Sequence, residues 1–403
     1  MKLSEELVWR GFVAENTLEN VSDLDDRARS FYWGTDPSAD SLHVGHLAAL
    51  MMCACFIRNG YKPYLLVGGA TGQIGDPKDN AERDLKPLDE IEHNKAALAA
   101  QIRQVVKNDN VLMVDNWDWF KGINYIDFLR TVGKEFSMTQ LLDRKFVQDR
   151  VGEGGVGISY AEFSYSLIQG YDFLHLYREY GIDMQLCGAD QFGNCISGMH
   201  LIKRLEGAEA DVWSCPLIID KASGRKFGKS EGNAVWLDSE KTSVFDFYQF
   251  WLNQSDDAVE DYLKYYTLIQ PDELTDLMAE HNEKPQERIA QKHLAREATA
   301  VVHGDAATDS VVKITTVLFD KVPVETLGDD DVSLLAKTIP TVALGTGLTD
   351  ALVSTELAKS KSEARNLISS GAVSVNNEKA SEDTEVTSRS IIKKGKNKFV
   401  LAK

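Results

Sequence analysis

No stretch of this chain is apolar for long enough to span a bilayer, and its first thirty residues carry Glu5, Glu6, Asp23, Asp25 and Asp26 where a secretory signal needs an apolar run. A soluble, cytoplasmic protein with no membrane partner is expected. Cysteine is scarce: Cys53, Cys55, Cys187, Cys195 and Cys215 are odd in number and scattered through apolar segments. No two pairs have zinc-ligand spacing, so they read as buried thiols, with no metal site among them. Positive charge is also short, with 44 Lys and Arg against 62 Asp and Glu and a net charge of −18. That balance argues against a general nucleic-acid coat, because phosphate neutralisation supplies most non-specific affinity. The shortage is not uniform. From Ala351 onward there are ten Lys or Arg against six Asp or Glu, which makes this segment the place to look for RNA. Internal repeats and low-complexity tracts are lacking too.

What is present is enough for more than one core: 403 residues, 43% of them hydrophobic. Over residues 1–240, β-rich runs at Phe31 to Trp33, Pro63 to Val67, Met184 to Cys187 and Pro216 to Ile219 alternate with segments of helical period. That alternation predicts a parallel sheet wrapped by helices, an α/β nucleotide-binding domain. Residues 241–320 are helical in pattern almost throughout, with Pro271 before Asp272 and Glu273 as a start signal. A linker rich in Asp, Gly, Thr and Pro is expected over 321–349, and a small domain over 350–403.

Two segments have the chemistry of a phosphate site. His43-Val44-Gly45-His46 follows a predicted strand and opens an apolar helix, so two imidazoles and free backbone N–H groups face an anion together. Gly45 would let a flat base lie against the backbone. Read alone, the pair could equally be helix-capping histidines. Lys226-Phe227-Gly228-Lys229-Ser230 lies in a polar loop, where two lysines can follow the β- and γ-phosphates as charge builds on a leaving pyrophosphate. A lysine pair in a loop is otherwise a solvated surface.

HVGH and KFGKS resemble the HIGH and KMSKS signatures of class I aminoacyl-tRNA synthetases. Their surroundings, YWGTDPSADSLHVGHL and GRKFGKSEGNAVWLD, are similar to the bacterial tyrosyl branch. The resemblance runs from Trp9-Arg10-Gly11 to the C-terminal domain. It implies a Rossmann-like catalytic domain, an α-helical anticodon-side domain and a small α+β S4 RNA-binding domain.

The amino-acid end rests on a stripe. Tyr165, Gln169 and Asp172 fall at i, i+4 and i+7, on one face of a helix, as either a solvated face or the wall of a polar pocket. The resemblance implies that Asp172 and Tyr32 grip the phenol of tyrosine, that Tyr165, Gln169 and Asp76 surround its α-amino group, and that Gln191 touches the tyrosyl moiety. Tyrosyl-tRNA synthetase is itself the worked case of the general rule that a site built to hydrogen-bond a hydroxyl rejects an analogue lacking it. Cys187-Gly188-Ala189-Asp190-Gln191-Phe192-Gly193-Asn194 is similar to the family's GSDQWGN, with Ala189 and Phe192 in place of Ser and Trp. Gly188 and Asp190 would then hold the ribose, with Gly34, Asp36, Ser38, Gly45, His43, His46 and Lys229 on the rest of ATP. Gly68 to Pro77 is glycine-rich but lacks the P-loop ending and the dinucleotide fingerprint, so it reads as close backbone approach to substrate. After it, Asp76-Pro77-Lys78-Asp79-Asn80-Ala81-Glu82-Arg83 is one residue shorter than the family's DPSGKxxxER. Arg83 carries over as a phosphate contact and the family's loop lysine has no clean counterpart.

The implied reaction joins tyrosine to ATP, with Mg²⁺ accompanying the triphosphate, and then moves the tyrosyl group to the terminal ribose of tRNA(Tyr). His43, His46, Arg83, Lys226, Lys229 and Ser230 would act on the phosphates. Lys359, Lys361 and Arg365, on a basic amphipathic helix over Leu357 to Ile368, would face RNA phosphate. The family is homodimeric. Competing readings are a tryptophan-specific synthetase, a small-molecule nucleotidyltransferase, and a non-catalytic RNA-binding paralogue, which would be expected to have lost HVGH or KFGKS.

Overall fold

The computed structural model describes residues 1–77, 84–142, 145–152, 155–221, 223–227 and 234–403. Arg83, Lys229 and Ser230 lie outside them. The chain divides into two compact units, Met1–Thr242 with Gln254–Leu294, and Ser243–Asn253 with Ala295–Lys403.

The chain begins with α1 (Leu3–Arg10), β1 (Ser30–Thr35), α2 (Val44–Arg58), β2 (Lys62–Val67), α3 (Thr71–Ile74), α4 (Leu88–Val106) and β3 (Leu112–Val114). Short helices α5 (Trp117–Phe120), α6 (Tyr125–Thr131), α7 (Met138–Leu142) and α8 (Lys145–Val151) lead to the long α9 (Tyr160–Tyr180). Then come β4 (Met184–Gly188), α10 (Phe192–Glu206) and β5 (Asp211–Cys215).

These strands form one all-parallel sheet in the order β3-β2-β1-β4-β5. Parallel strands covered on both faces read as continuous apolar runs, and β2 does so: Pro63 to Val67 are all buried. The chain first builds outward from β1 through β2 to β3, then returns to the other side of β1 as β4. The reversal opens a crevice at the carboxyl edge between β1 and β4, where doubly wound folds bind ligands. α9 is set by its ends: Ser159 Oγ accepts from Glu162 N, and Gly181 closes the helix at φ +67°, where a side chain would be strained.

One strand expectation changes. The run Pro216 to Ile219 is not a strand of the sheet; β5 ends one residue before Pro216, which has no N–H to continue a ladder. Ile219 instead bridges Lys226 in a tight hairpin. β3 gave no β-rich run because only three residues of it pair.

Beyond β5 the helical stretch comprises α11 (Val244–Leu252), α12 (Asp256–Tyr266), α13 (Pro271–Glu283), α14 (Ile289–His303) and α15 (Asp305–Phe319). Pro271 occupies the first turn of α13, as its spacing predicts. In the first unit the buried Arg10 donates to the carbonyls of Lys264, Thr267 and Ile269, satisfying the end of α12 and the turn after it. The 321–349 stretch holds α16 (Asp329–Thr338), β6 (Thr341–Val342) and β7 (Thr346–Gly347).

The chain closes with α17 (Leu348–Ser354), α18 (Lys361–Ser369), β8 (Val373–Val375), β9 (Glu378–Lys379), β10 (Glu385–Val386), β11 (Ser390–Lys394) and β12 (Lys398–Ala402). Leu348, Leu352, Ala364, Ile368, Ile392 and Val400 form a core of their own there. α18 is shorter than the sequence reading: Ser360 Oγ caps Glu363 N, so Leu357 to Lys359 precede the helix.

Candidate active site

Most candidate residues of the first unit that the structure describes sit in or just after a strand of this sheet, or on α2 or α9 beside it; Asp76 follows α3 and Lys226 lies in the hairpin beyond β5. Tyr32 lies inside β1 and is 2% exposed. Its hydroxyl is buried and has no hydrogen-bond partner among the described residues. Its ring packs 5.3 Å from that of Phe173, the residue after Asp172. Burial, then the charges of Cys195 and Asp172, push the phenol well above its ordinary pKa, so it stays protonated.

Asp172, on α9, is also 2% exposed. Its two oxygens are aimed separately: Asn116 Nδ2 donates to Oδ2 at 3.1 Å and Trp119 Nε1 to Oδ1 at 2.9 Å. Burial pushes this carboxyl well above the usual carboxylate range, the two donors pull the other way, and the charges of Asp36 and Asp115 add to the push. A buried hydroxyl without a partner beside a buried carboxylate held by two donors costs stability unless something completes it. The stripe on α9 is therefore not a solvated face, since Tyr165 and Asp172 are both buried and Gln169 is partly so.

Tyr165 donates to Asp36 Oδ2 at 2.8 Å, tying that wall to the loop after β1. Gln169 reaches Cys195 Sγ at 3.8 Å, and its Oε1 is buried without a partner. Gln191 donates to Asp76 Oδ2 at 2.8 Å while accepting from Asn194, which in turn accepts from Ser166 on α9. Asp76, Gln191 and the α9 wall thus form one network. All five cysteines are buried.

Gln185 Oε1, on β4 in register with Tyr32, is a further buried oxygen without a partner. Neither it nor Asn116 and Trp119 was found from the sequence. The signal for the latter two was Asp115-Asn116-Trp117-Asp118-Trp119, polar and aromatic residues directly after a short apolar run, which carry meaning only once β3 is recognised as an edge strand.

At the other end, His43 caps α2, its Nδ1 accepting from Gly45 N at 3.1 Å. Nδ1 of His46 accepts from His43 N at 3.3 Å, and the two rings lie 4.0 Å apart. Burial, then proximity to His43, holds His46 well below the ordinary histidine pKa, so at neutral pH it offers a hydrogen bond and not a charge. The hairpin carrying Lys226 folds over this pair: a Cβ on Gly45 would stand 2.6 Å from the carbonyl oxygen of Phe227. Lys226 is exposed. Ser38 and Gly34, both exposed, and the partly buried Asp36 and Gly188 edge the same crevice with Asp190. Among the described residues no group of three or more His, Cys, Asp or Glu could hold a metal ion.

In the second unit Lys359, Lys361 and Arg365 are all exposed around the start of α18. Lys361 is within 2.5 Å of Asp350. Lys359 N donates to Glu363. No helix among the described residues is long and apolar enough to cross a membrane.

A family model described as "tRNA synthetases class I (W and Y)" matches residues 24–320, and one described as "Tyrosine--tRNA ligase SYY-like C-terminal domain" matches residues 331–402. The chain is 40% identical over 420 residues to the tyrosine–tRNA ligase of Limosilactobacillus fermentum, covering 100% of this chain and 99% of that one. It is 41% identical over 422 residues to tyrosine–tRNA ligase 2 of Bacillus cereus, covering 100% of both. Among solved structures, the C-terminally truncated mitochondrial tyrosyl-tRNA synthetase of Aspergillus nidulans superimposes with a TM-score of 0.70 at 28% identity, over 79% of this chain and 94% of that one.

Proposed function

We propose how the site works from one premise: this chain belongs to the class I tRNA synthetase family of the tryptophan and tyrosine enzymes, and it is a tyrosine–tRNA ligase that uses ATP. The phenol of tyrosine lies between Tyr32 Oη and Asp172. The observation that supports this most is the buried, partnerless Tyr32 hydroxyl in a pocket whose carboxylate is already oriented by Asn116 and Trp119. Phenylalanine would leave the Tyr32 hydroxyl buried and unpaired and bring no donor to the Asp172 carboxylate, a larger loss than a missing apolar contact. Asp76, Tyr165, Gln169 and Gln191 receive the amino end.

Activation needs no general base, because an ionised tyrosine carboxylate is already a nucleophile toward the α-phosphorus. The bond from that oxygen to phosphorus forms as the bond to the bridging oxygen breaks, and pyrophosphate leaves. The protein contributes positioning and charge stabilisation. Gly34, Asp36, Ser38, Gly188 and Asp190 hold the nucleoside, Gly45 gives it backbone to lie against, and His43 and His46 donate to phosphate. Because His46 is neutral, the positive charge that offsets the departing pyrophosphate comes from Lys226 and, by resemblance, from Lys229 and Arg83, with Ser230 beside them. Mg²⁺ arrives with the triphosphate. A hydroxyl of the 3′ terminal ribose of tRNA(Tyr) then attacks the tyrosyl carbonyl, the new ester bond forming as the bond to the adenylate phosphate breaks and AMP leaves.

Residues 1–240 carry the chemistry, 241–320 face the anticodon side, 321–349 lead into the last domain and lend it β6 and β7, and 350–403 act as the S4 RNA-binding domain through Lys359, Lys361 and Arg365. The chain works in the cytoplasm as a homodimer. Exposed Tyr125, Ile126, Met138, Val156 and Tyr160 supply an apolar surface for self-association.

Amino-acid-dependent exchange of pyrophosphate into ATP tests this reading. Exchange with tyrosine and not with phenylalanine or tryptophan is expected; robust exchange with tryptophan, or none with any amino acid, would overturn it.

A further inference from the structure

The loop after β3 holds the glycine turn after β2. Gly69 N donates to Asp115 Oδ1 at 2.8 Å, and Ala70 N donates to Asn116 Oδ1 at 2.6 Å, so two successive side chains capture two successive amides. The approach is close: a Cβ on Gly69 would stand 2.4 Å from Asp115 Oδ1. Asn116 uses its other end on Thr71 Oγ1 and Asp172 Oδ2, both at 3.1 Å. Asp115 Oδ1 also accepts from Trp117 N at 3.0 Å, fixing the turn that aims Trp119 at Asp172. Its second oxygen takes the ammonium of Lys95, from α4, at 2.5 Å. Lys95 meets Glu92 as well, and although burial works against it, these two carboxylates hold its pKa above the ordinary value.

We propose that Asp115, neutralised by Lys95, is a positioning residue for tyrosine activation: it fixes the Gly68 to Thr71 turn against Asn116 and thereby the orientation of Asp172. Neither residue touches the space between Tyr32 and Asp172. Asp115 acts through backbone and through Asn116 and Trp119. Lys95 is needed because Asp115 is charged; left unpaired, that carboxylate reorients toward solvent and releases Gly69, and its charge bears on Asp172 without a counterion. Lys95 lies on a helix face and is 17% exposed in its side chain, so it can be replaced without opening the core.

The inference rests on the tyrosine–tRNA ligase reading, and a double-mutant cycle separates the two. Lys95→Met should raise the KM for tyrosine in pyrophosphate exchange about tenfold, the loss expected when a charge-assisted contact is removed. The KM for ATP stays at the wild-type value, and Lys95→Arg restores the tyrosine KM. Asp115→Asn keeps an acceptor for Gly69 and has no charge to neutralise, so in that background Lys95→Met changes nothing. Melting temperatures are recorded alongside. Equal effects of Lys95→Met in both backgrounds, no effect in the wild-type chain, or parallel changes in both KM values would overturn the role given to Asp115. A wild-type chain without tyrosine-dependent exchange would instead overturn the functional reading on which it depends.

Discussion

Replacing Trp119 by Phe removes one donor from Asp172 and little else. A phenyl ring replaces the indole, so an aromatic face remains for stacking on His175, 4.5 Å away between centroids, while the 2.9 Å bond from Nε1 to Asp172 Oδ1 is lost. A hydrogen bond to a charged group contributes about 1.5–3 kcal/mol, and a buried carboxylate that loses one of its two donors forfeits a contribution of that size. If the lost term appears wholly in substrate binding, the KM for tyrosine rises roughly tenfold to a hundredfold. The pH dependence should change as well. Burial already raises the Asp172 pKa and the two donors oppose that shift; with one gone the pKa rises further. The carboxylate form accepts the phenol proton, so tyrosine affinity is present above that pKa and lost as pH falls through it, and the loss begins at higher pH in the variant. Pyrophosphate exchange at varied tyrosine, varied ATP and a series of pH values reads all of this. An unchanged tyrosine KM, or an ATP KM that moves with it, would refute the assignment of Asp172 to the phenol.

Gly45→Ala places a methyl group 2.6 Å from the Phe227 carbonyl, so the lysine hairpin must retreat. The kcat of exchange should fall by about a hundredfold, as ångström-scale misplacement does, with tyrosine affinity by equilibrium titration unchanged. Combined Lys359→Ala, Lys361→Ala and Arg365→Ala should leave exchange intact, weaken tRNA charging, and flatten the logarithmic salt dependence of tRNA binding by about 2–3; a tRNA affinity equal to wild type would remove these residues from the RNA surface. His46, His175 and His200 all have lowered pKa values, burial being the largest cause in each. The unfolded chain therefore binds protons first, and stability is lost as pH falls through about 6.5, the unfolded histidine value. His46→Asn should make that decline in melting temperature shallower, and a steeper one would contradict the sign.

The sequence was most readable where the chemistry repeats a local pattern. β1, β2 and β4 announce themselves as buried apolar runs, and the capping of α2 by His43 follows from a helix starting at HVGH. The polar stripe on α9 was visible as spacing but ambiguous between pocket and solvent, because burial is decided by what packs over it. Asp115, Asn116 and Trp119 stayed hidden for a different reason: they act across about 45 to 56 residues of separation on the Gly69 turn and on Asp172. No local period encodes a partner that distant. Pro216 misled in the opposite sense, since the apolar run after it resembles a strand, but the ladder ends before a residue that cannot donate.

A crystal structure with L-tyrosine bound tests the central claim most directly. The account predicts the phenolic oxygen within hydrogen-bonding distance of both Tyr32 Oη and an Asp172 carboxylate that still accepts from Asn116 and Trp119. A bound tyrosine whose ring points elsewhere, leaving the Tyr32 hydroxyl buried and unpaired, would contradict it.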